Sequence, residues 1–245
     1  MQKLATLIIL ILALVAPPGL ADEQTPAVAE IFACTYVDGK DWSDVETAAK
    51  VYNAGLKKLG NRFEELRSFA WIPYRGNVAF DFLWSTNSAN LNEMAQRSMV
   101  YDSSEESQVS GALFGSVADC ESGLFFQELI LEAETPADLS NGYIIESYIC
   151  SINPGKDMDD IRKALKTWHA YSTKIGSPGP VMMRTLQVGN FPFDLSYFAV
   201  HQDLAAYAAN TTKYLTSKGF ESTQAALDKV QTCKATLWRG QQMTP

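Results

Sequence analysis

Apolar residues recur with a helical period in two stretches that lie far apart in the chain. In the first stretch they are three or four positions apart: Trp42, Val45, Ala49, Tyr52, Leu56 and Leu59. The second stretch follows the same steps, with one serine among its apolar residues: Met158, Ile161, Leu165, Trp168, Ser172 and Ile175. This spacing predicts two amphipathic helices, each burying one stripe of side chains. Asp41 and Asp157 are suited to cap the N-termini of these helices, and Gly60 and Gly176 to end them.

Apolar and β-rich runs surround each of the two predicted helices. The predicted strands are residues 31–37, 69–74, 79–84 and 124–131, followed by 143–152, 181–188, 193–198 and 235–239. A broken helical region precedes the last strand of each set, at residues 90–118 and 203–232. Each half of the chain therefore has the predicted element order β-α-β-β-α-β.

The two halves also match residue by residue, which indicates a duplicated domain. Cys34 falls on Cys150 at an offset of 116 residues, and the same register brings Gly-Lys-Asp at 39–41 onto Gly-Lys-Asp at 155–157. After a shorter loop the offset becomes 113, which places Phe-Asp at 80–81 on Phe-Asp at 193–194 and Cys120 on Cys233. A register kept through most of each half is typical of an internal repeat.

The repeat and the element order predict an α+β fold made of two tandem ferredoxin-like units. The expected organisation is a signal peptide at 1–21, a first repeat at 22–132, a linker at 133–142 and a second repeat at 143–245. In a ferredoxin-like sheet the last strand lies antiparallel beside the first. We therefore expect two disulfides, Cys34–Cys120 and Cys150–Cys233, with one bridge inside each repeat.

The first 21 residues have the layout of a secretory signal peptide. Lys3 precedes an apolar run at 4–15 that only Thr6 interrupts, and Gly-Leu-Ala at 19–21 provides small residues for cleavage. No later run is long enough for a transmembrane helix, so we expect no membrane span after cleavage. The sequence thus predicts a periplasmic or secreted protein, in a compartment where disulfides persist.

Composition and charge exclude several classes of function. The formal net charge is −8, and without a cluster of Lys and Arg the chain lacks the basic surface of a nucleic-acid-binding protein. No CxxC motif and no Cys/His cluster is present, so we expect no metal site. With 47% hydrophobic residues the chain has ample material for a packed core.

Two ferredoxin-like units in one chain resemble the dimeric α/β-barrel superfamily. The group includes antibiotic-biosynthesis-type monooxygenases, haem-degrading monooxygenases, chlorite-dismutase-like proteins and small isomerases. The resemblance implies two sheets that pack around a centre as a pseudo-dimeric barrel, with a tandem copy in place of a second subunit. The Gly-Lys-Asp turns, Tyr52 and Trp168 on the helices, and the Phe-Asp pairs also resemble a family of exported bacterial proteins, which informs the fold more than the activity.

Asp81 and Asp194 are the carboxylates that the repeat singles out. Each is predicted to lie within a strand between apolar neighbours, where an unpaired charge is unfavourable. Strand alternation predicts Phe80, Phe82 and Trp84 on one face and Asp81 on the other. One interpretation is a pair of carboxylates that line a ligand cavity. The alternative, which we favour, is a structural hydrogen bond or an ion pair to Arg75 or Arg184.

Aromatic residues and one histidine complete the candidate site. Trp71, Trp84 and Tyr197, with Arg184, are candidate pocket residues, although strand aromatics more often belong to a core. Trp84 and Tyr197 occupy matching repeat positions, so we expect them in equivalent environments. We interpret His201 as a surface residue. Its alternative role is that of axial ligand in a haem-binding barrel.

These patterns leave two functional hypotheses open, because no reactive constellation stands out. The first is that the protein binds a small molecule or a partner protein at the interface between the repeats, without a cofactor. The second is a cofactor-independent oxygenase or isomerase that uses Asp81 or Asp194, or a haem enzyme that uses His201. A third possibility is that copies of the chain assemble through exposed sheet edges.

Overall fold

Residues 26–131, 139, 141–176 and 180–244 are described by the computed structural model. In the first half the strands are β1 (Ala27–Tyr36), β2 (Arg67–Arg75), β3 (Phe82–Ser88) and β4 (Ala118–Leu131). The helices are α1 (Trp42–Lys58), α2 (Leu91–Asp102) and α3 (Glu105–Gly115), with a 3-10 turn at Asn61–Phe63. The predicted signal peptide and most of the predicted linker lie outside the described residues.

The second half repeats this order of elements. Its strands are β5 (Tyr143–Ile152), β6 (Val181–Val188), β7 (Leu195–His201) and β8 (Gln231–Gln242). Its helices are α4 (Met158–Lys174), α5 (Leu204–Leu215) and α6 (Phe220–Asp228). Within the described ranges, none of the helices combines the length and the hydropathy that a transmembrane segment requires.

All eight strands close into one antiparallel barrel in the order β1-β3-β2-β8-β5-β7-β6-β4. Each half contributes four adjacent strands, and the halves join where β2 pairs with β8 and where β4 pairs with β6. The α+β class is therefore confirmed, and it takes the form of a closed barrel with helices outside it.

The last strand of each half begins earlier than predicted. β4 starts at Ala118 and β8 at Gln231, so the helical regions end sooner than residues 118 and 232. The extra residues, such as Asp119 and Glu121, are exposed and polar and carry no alternating apolar pattern. They are held in the sheet by pairing along β1 and β5, which the residue pattern alone does not reveal.

Both predicted disulfides are present. Cys34 lies directly opposite Cys120 in the β1–β4 ladder, and Cys150 lies opposite Cys233 in the β5–β8 ladder. The Cα–Cα distance is 4.1 Å in both bridges. Each bridge therefore fixes the first strand of its half to the last.

The helix ends follow the predicted capping residues. The Asp41 carboxylate accepts a hydrogen bond from the Ser43 amide at 2.8 Å, and Asp157 accepts from two amides of α4. Gly60 and Gly176 follow the helix ends with φ angles of +87° and +60°. Only glycine adopts this left-handed backbone without strain, so both glycines end their helices as expected.

Successive strand residues point alternately to the barrel interior and to the helices. The helix side holds one core cluster per half, around Val45 and Phe82 in the first and Ile161 and Leu195 in the second. The interior holds a separate aromatic core: Trp71, Tyr143, Phe198 and Trp238, next to Ile31 and Phe125. Side chains therefore pack on both faces of the sheet, and sites can form in two distinct layers.

Candidate functional site

Two cavities occupy equivalent places between the sheet and the helices. The first cavity, of about 370 Å³, is lined by residues of β1, β3 and the helices of the first half, among them Glu30, Phe32, Tyr52, Trp84, Tyr101 and Phe114. The second cavity, of about 350 Å³, has the corresponding lining in the second half, including Glu146, Tyr148, Trp168, Tyr197, His201 and Tyr214. Both volumes are in the range of small-molecule sites.

The sequence-predicted pair Trp84 and Tyr197 divides between these two cavities. Trp84 lines the first cavity, where it packs against Tyr52 and Phe114. Tyr197 lines the second, where its hydroxyl donates a hydrogen bond to Gln231 at 2.8 Å. The two aromatics thus take equivalent positions, each in its own half.

A glutamate of the first strand faces each cavity, and sequence reasoning missed both residues. Glu30 lies on β1 and Glu146 on β5, each on the helix side of its strand. The signal was available, because the register that aligns Cys34 with Cys150 also aligns Glu30 with Glu146. An acidic residue that recurs at the same position of an apolar strand indicates that a partly buried carboxylate is present there in both halves.

In the first cavity the Glu30 carboxyl is half-buried and makes no hydrogen bond with the described part of the chain. Burial raises the pKa of Glu30, and the negative charge of Asp102 raises it further. Burial also raises the pKa of Tyr52 to about 12, despite hydrogen bonds with Ser68 and Thr86. The nearby Arg97 forms an ion pair with Glu93 and is therefore neutralised within α2.

In the second cavity a chain of polar groups starts at β5. The Tyr148 hydroxyl donates to Glu146 Oε1 at 2.8 Å, and Glu146 Oε2 lies 3.8 Å from His201 Nε2. On the other side of the ring, the amide of Asn210 lies 3.2 Å from Nδ1. Burial, and then the charge of Glu146, raises the pKa of Tyr148, so its hydroxyl keeps the proton that it donates.

Two buried polar atoms of the second cavity have no hydrogen-bond partner among the described residues: His201 Nε2 and the Tyr214 hydroxyl oxygen. Buried polar groups are nearly always paired in folded proteins. The Trp168 side chain lies near the Tyr214 hydroxyl without a well-formed hydrogen bond, and burial raises the pKa of Tyr214 to about 12, so its hydroxyl remains a donor at neutral pH. Both atoms belong to side chains that line the cavity.

The interpretation of His201 as a surface residue is wrong. His201 is the last residue of β7, and only 5% of it is exposed. Helix α5 folds back over the end of the strand, where Tyr207 packs edge-on against the imidazole at 5.4 Å. The strand end is therefore covered by a tertiary contact that the local sequence does not encode.

Asp81 and Asp194 play the same part in both halves. Asp81 Oδ2 accepts a hydrogen bond from the Tyr36 amide at 2.8 Å, and Asp194 Oδ2 accepts one from the Ile152 amide at 2.8 Å. Each carboxylate holds the end of the first strand of its half. Of the two, Asp194 borders an open groove on the surface. No ion pair joins either residue to Arg75 or Arg184 within the described ranges.

The predicted face of Phe80, Phe82 and Trp84 is divided in the structure. Phe82 and Trp84 pack on the helix side, but Phe80 stacks on Trp238 in the barrel interior at 5.8 Å. The prediction was wrong because β3 begins only at Phe82, so strand alternation does not extend back to Phe80. The remaining candidates, Trp71 and Arg184, meet in the barrel interior, where the guanidinium lies 5.0 Å from the Trp71 ring.

The second cavity is a poor fit for haem. The charged group that faces His201 Nε2 is the Glu146 carboxylate, with Oε2 at 3.8 Å. In this part of the described chain the cavity lining includes Glu146 and Asp228 but no Lys or Arg to pair with haem propionates. The first cavity has Arg97 but no histidine. No group of three or more metal-ligating side chains occurs among the described residues.

No protein-family model and no curated protein sequence matches the chain. Solved structures match over most of its length. A proposed monooxygenase from Fusobacterium nucleatum subsp. nucleatum is 14% identical with a TM-score of 0.59, covering 88% of this chain and 93% of that chain. A proposed monooxygenase from Lactobacillus acidophilus is 11% identical with a TM-score of 0.60, covering 89% and 97%. An anthrone oxidase-like protein is 10% identical with a TM-score of 0.55, covering 91% and 95%.

At these identities the likeness concerns the fold alone. The eight-stranded antiparallel barrel and its outer helices match the architecture of dimeric α/β-barrel proteins. The chemistry of this chain has to be argued from its own cavities, because one fold supports many unrelated functions.

Proposed function

We propose that the second cavity binds an apolar aromatic ketone or phenol and catalyses its cofactor-independent oxidation by O2. The observation that carries this proposal is the polar cluster of Glu146, His201 and Tyr214 in a cavity that is also lined by aromatic and aliphatic side chains. Glu146 supplies a carboxylate there, while His201 Nε2 and the Tyr214 hydroxyl are buried without partners. The fold shared with monooxygenase-like proteins is consistent with this choice and favours it over partner binding at the interface of the halves.

The residues suit proton abstraction from a carbon acid. Because the Asn210 amide donates to Nδ1, the ring proton of neutral His201 lies on Nε2, where it faces the cavity side of Glu146. Glu146 Oε2 then acts as general base, and the N–H of His201 and the O–H of Tyr214 stabilise the enolate oxygen that forms. Positioned bases and oxyanion donors of this kind are the usual means of such catalysis.

Anthrone serves as a defined probe, chosen because of the anthrone oxidase-like neighbour. In the reaction Glu146 takes a proton from the methylene carbon, and the C–H electron pair remains on the substrate as an enolate. The enolate is oxidised by O2, one oxygen atom becomes the new carbonyl and the other leaves as water, so that anthrone and O2 give anthraquinone and water. The protein supplies only the base, the donors and an apolar enclosure.

The test measures anthraquinone formation and O2 uptake by the purified protein. We expect the wild type to accelerate the reaction over buffer, and Glu146→Gln to reduce the rate by about 10²-fold or more, the usual contribution of a general base. Glu30→Gln is the matched control, because it removes the equivalent carboxylate from the other half. The proposal fails if wild type gives no acceleration, or if Glu30→Gln removes the activity and Glu146→Gln does not.

We also propose that the barrel arose from two tandem ferredoxin-like repeats. Each half has the same element order and the strand order last-first-third-second, with one disulfide between the same two strands. Capping aspartates and strand-end aspartates also recur at matching positions. The test is to express residues 143–245 alone and measure by circular dichroism and gel filtration whether they form a folded pair.

Export is the final part of the proposal. The apolar run at 4–15 and the two disulfides both suit a protein that leaves the reducing cytoplasm. The intact mass of protein expressed with its own N-terminus tests it. Export with cleavage after Ala21 gives a chain that begins at Asp22 with no free thiol. A mass that retains residues 1–21, or four reduced cysteines, would contradict it.

A further inference from the structure

The barrel interior contains a fully buried cation, Arg184 on β6. Only 3% of the residue is exposed, and its guanidinium lies between the rings of Trp71 at 5.0 Å and Phe198 at 4.4 Å. In the repeat register Arg184 corresponds to Trp71, and its neighbour Phe198 corresponds to Ser85. The charge is therefore an addition of the second half to an interior that is otherwise aromatic.

Arg184 makes two hydrogen bonds with the described residues, both to neutral acceptors. Nε donates to Gln127 Oε1 at 2.8 Å, and Nη2 donates to Ser85 Oγ at 3.1 Å. A guanidinium has five N–H donors, so both donors of Nη1 and the second of Nη2 are without a partner in the described part of the chain. Burial lowers the pKa of Arg184 to about 9, which still leaves it charged at neutral pH.

No carboxylate of the described residues forms an ion pair with Arg184. The acceptors that it reaches belong to an amide and a hydroxyl. A buried unpaired charge is strongly unfavourable, and proteins normally pair it. Among the described residues the charge is therefore compensated only by two aromatic faces and two neutral acceptors.

A small cavity of about 50 Å³ adjoins the guanidinium. Besides Arg184, its lining includes Trp71, Ser196 and Trp238 with the rings of Phe191 and Phe193. The Trp71 indole N–H is buried near the Tyr143 hydroxyl but has no well-formed hydrogen bond. A second N–H donor therefore lies in the same interior as the Arg184 guanidinium.

We propose that the barrel interior is a binding site for a small monovalent anion, with Arg184 as its charged ligand. The volume suits an anion between chloride and formate in size, since a single water needs only about 10–15 Å³ measured in this way. The same small volume excludes larger anions. The bound anion neutralises Arg184 and stabilises the seam where the two halves meet, independently of the second cavity.

The test compares bromide with gluconate, an anion too large for the cavity, at constant ionic strength. The equilibrium constant for folding is measured by urea denaturation, in which unfolding gives the anion access to the interior. We expect the equilibrium constant for folding to rise saturably with bromide, by about tenfold at a bromide concentration ten times its Kd. We also expect saturable quenching of tryptophan fluorescence, because Trp71 and Trp238 line the site.

Arg184→Met removes the cation, and Arg75→Met is the matched control, since Arg75 is an exposed arginine of β2. Arg184→Met should lose the bromide response, and Arg75→Met should keep it. If wild type responds equally to bromide and gluconate, only water occupies the cavity and the proposal is wrong, whether or not Arg184→Met folds. A bromide response that persists in Arg184→Met would place the anion elsewhere and would equally overturn it.

Discussion

The two helix-side cavities have the same scaffold but use their polar groups differently. In the first, Arg97 donates through Nη1 to Ser88 Oγ and through Nε to the Arg62 carbonyl. In the second, the corresponding positions are Asn210 and His201, and the imidazole keeps Nε2 free of any hydrogen bond with the described chain. Where the first half has Arg97 hydrogen-bonded to Ser88, the second half therefore has Asn210 and His201, and the imidazole Nε2 has no hydrogen bond with the described chain.

The tyrosine hydroxyls of the two cavities also differ in their hydrogen bonds. The Tyr101 hydroxyl is hydrogen-bonded to Ser110 Oγ at 2.5 Å. Ser110 and the matching Thr223 both donate to the carbonyl four residues earlier, but in the second half the Tyr214 hydroxyl has no hydrogen-bond partner among the described residues. The two halves thus have similar cavities that differ in a few polar partners: an arginine and a tyrosine of the first are hydrogen-bonded internally, and two polar atoms of the second have no partner among the described residues.

Removal of a disulfide should have the largest effect and should be nearly equal in the two halves. The bridges close loops of similar length, with sequence separations of 86 and 83. The chain-entropy relation gives a loss of roughly 4–5 kcal/mol of unfolding free energy for each. Urea denaturation of Cys34→Ser/Cys120→Ser and of Cys150→Ser/Cys233→Ser measures it. A large loss for only one pair would contradict equivalent roles.

The strand-end aspartates should also behave alike. Asp81→Asn and Asp194→Asn retain an acceptor but lose its charge, so each should lower the unfolding free energy by about 1 kcal/mol. Because both carboxylates bind backbone amides, neither change should alter anthrone oxidation. Thermal denaturation measures the loss of stability, and the anthrone assay measures the rate. A loss of activity without a loss of stability would return these residues to the ligand site.

The tyrosine pair should separate stability from activity. Tyr101→Phe removes a hydrogen bond and should lower the unfolding free energy by about 1 kcal/mol. Tyr214→Phe removes a buried hydroxyl that has no partner, so stability should be unchanged or slightly higher. Only Tyr214→Phe should slow anthrone oxidation. If both variants lose the same stability and neither loses activity, the two cavities do not differ as described.

The smallest effect concerns the pH dependence of stability at Glu30. Burial raises the pKa of Glu30 in the folded state. Its favourable contribution is therefore complete below the unfolded-state pKa of about 4.5 and is lost as the pH rises through the folded-state value. Relative to wild type, Glu30→Gln should gain stability between acidic and neutral pH. Urea midpoints at several pH values measure this, and a relative loss would contradict the burial.

The repeat made much of the fold predictable. The cysteine register specified both disulfides, because each pair had to lie on adjacent strands, and the spacing of apolar residues located α1 and α4. The site was harder to predict. Glu30 and Glu146 stood in the aligned register, but cavity formation depends on how three helices pack over the sheet. The burial of His201 depends on Tyr207 and Asn210 of α5, which no local pattern places over the end of β7.

The second cavity is tested most directly by the imidazole signals of the folded protein. The sequence has two histidines, and His169 on α4 does not line the cavity, so it serves as an internal reference. Anthraquinone, the product of the proposed reaction, is titrated into ¹⁵N-labelled protein and the ring nitrogens are followed by NMR. We expect a saturable shift of His201 Nε2 and an unchanged His169. If His201 stays unchanged, or if both rings shift together, the second cavity is not the ligand site.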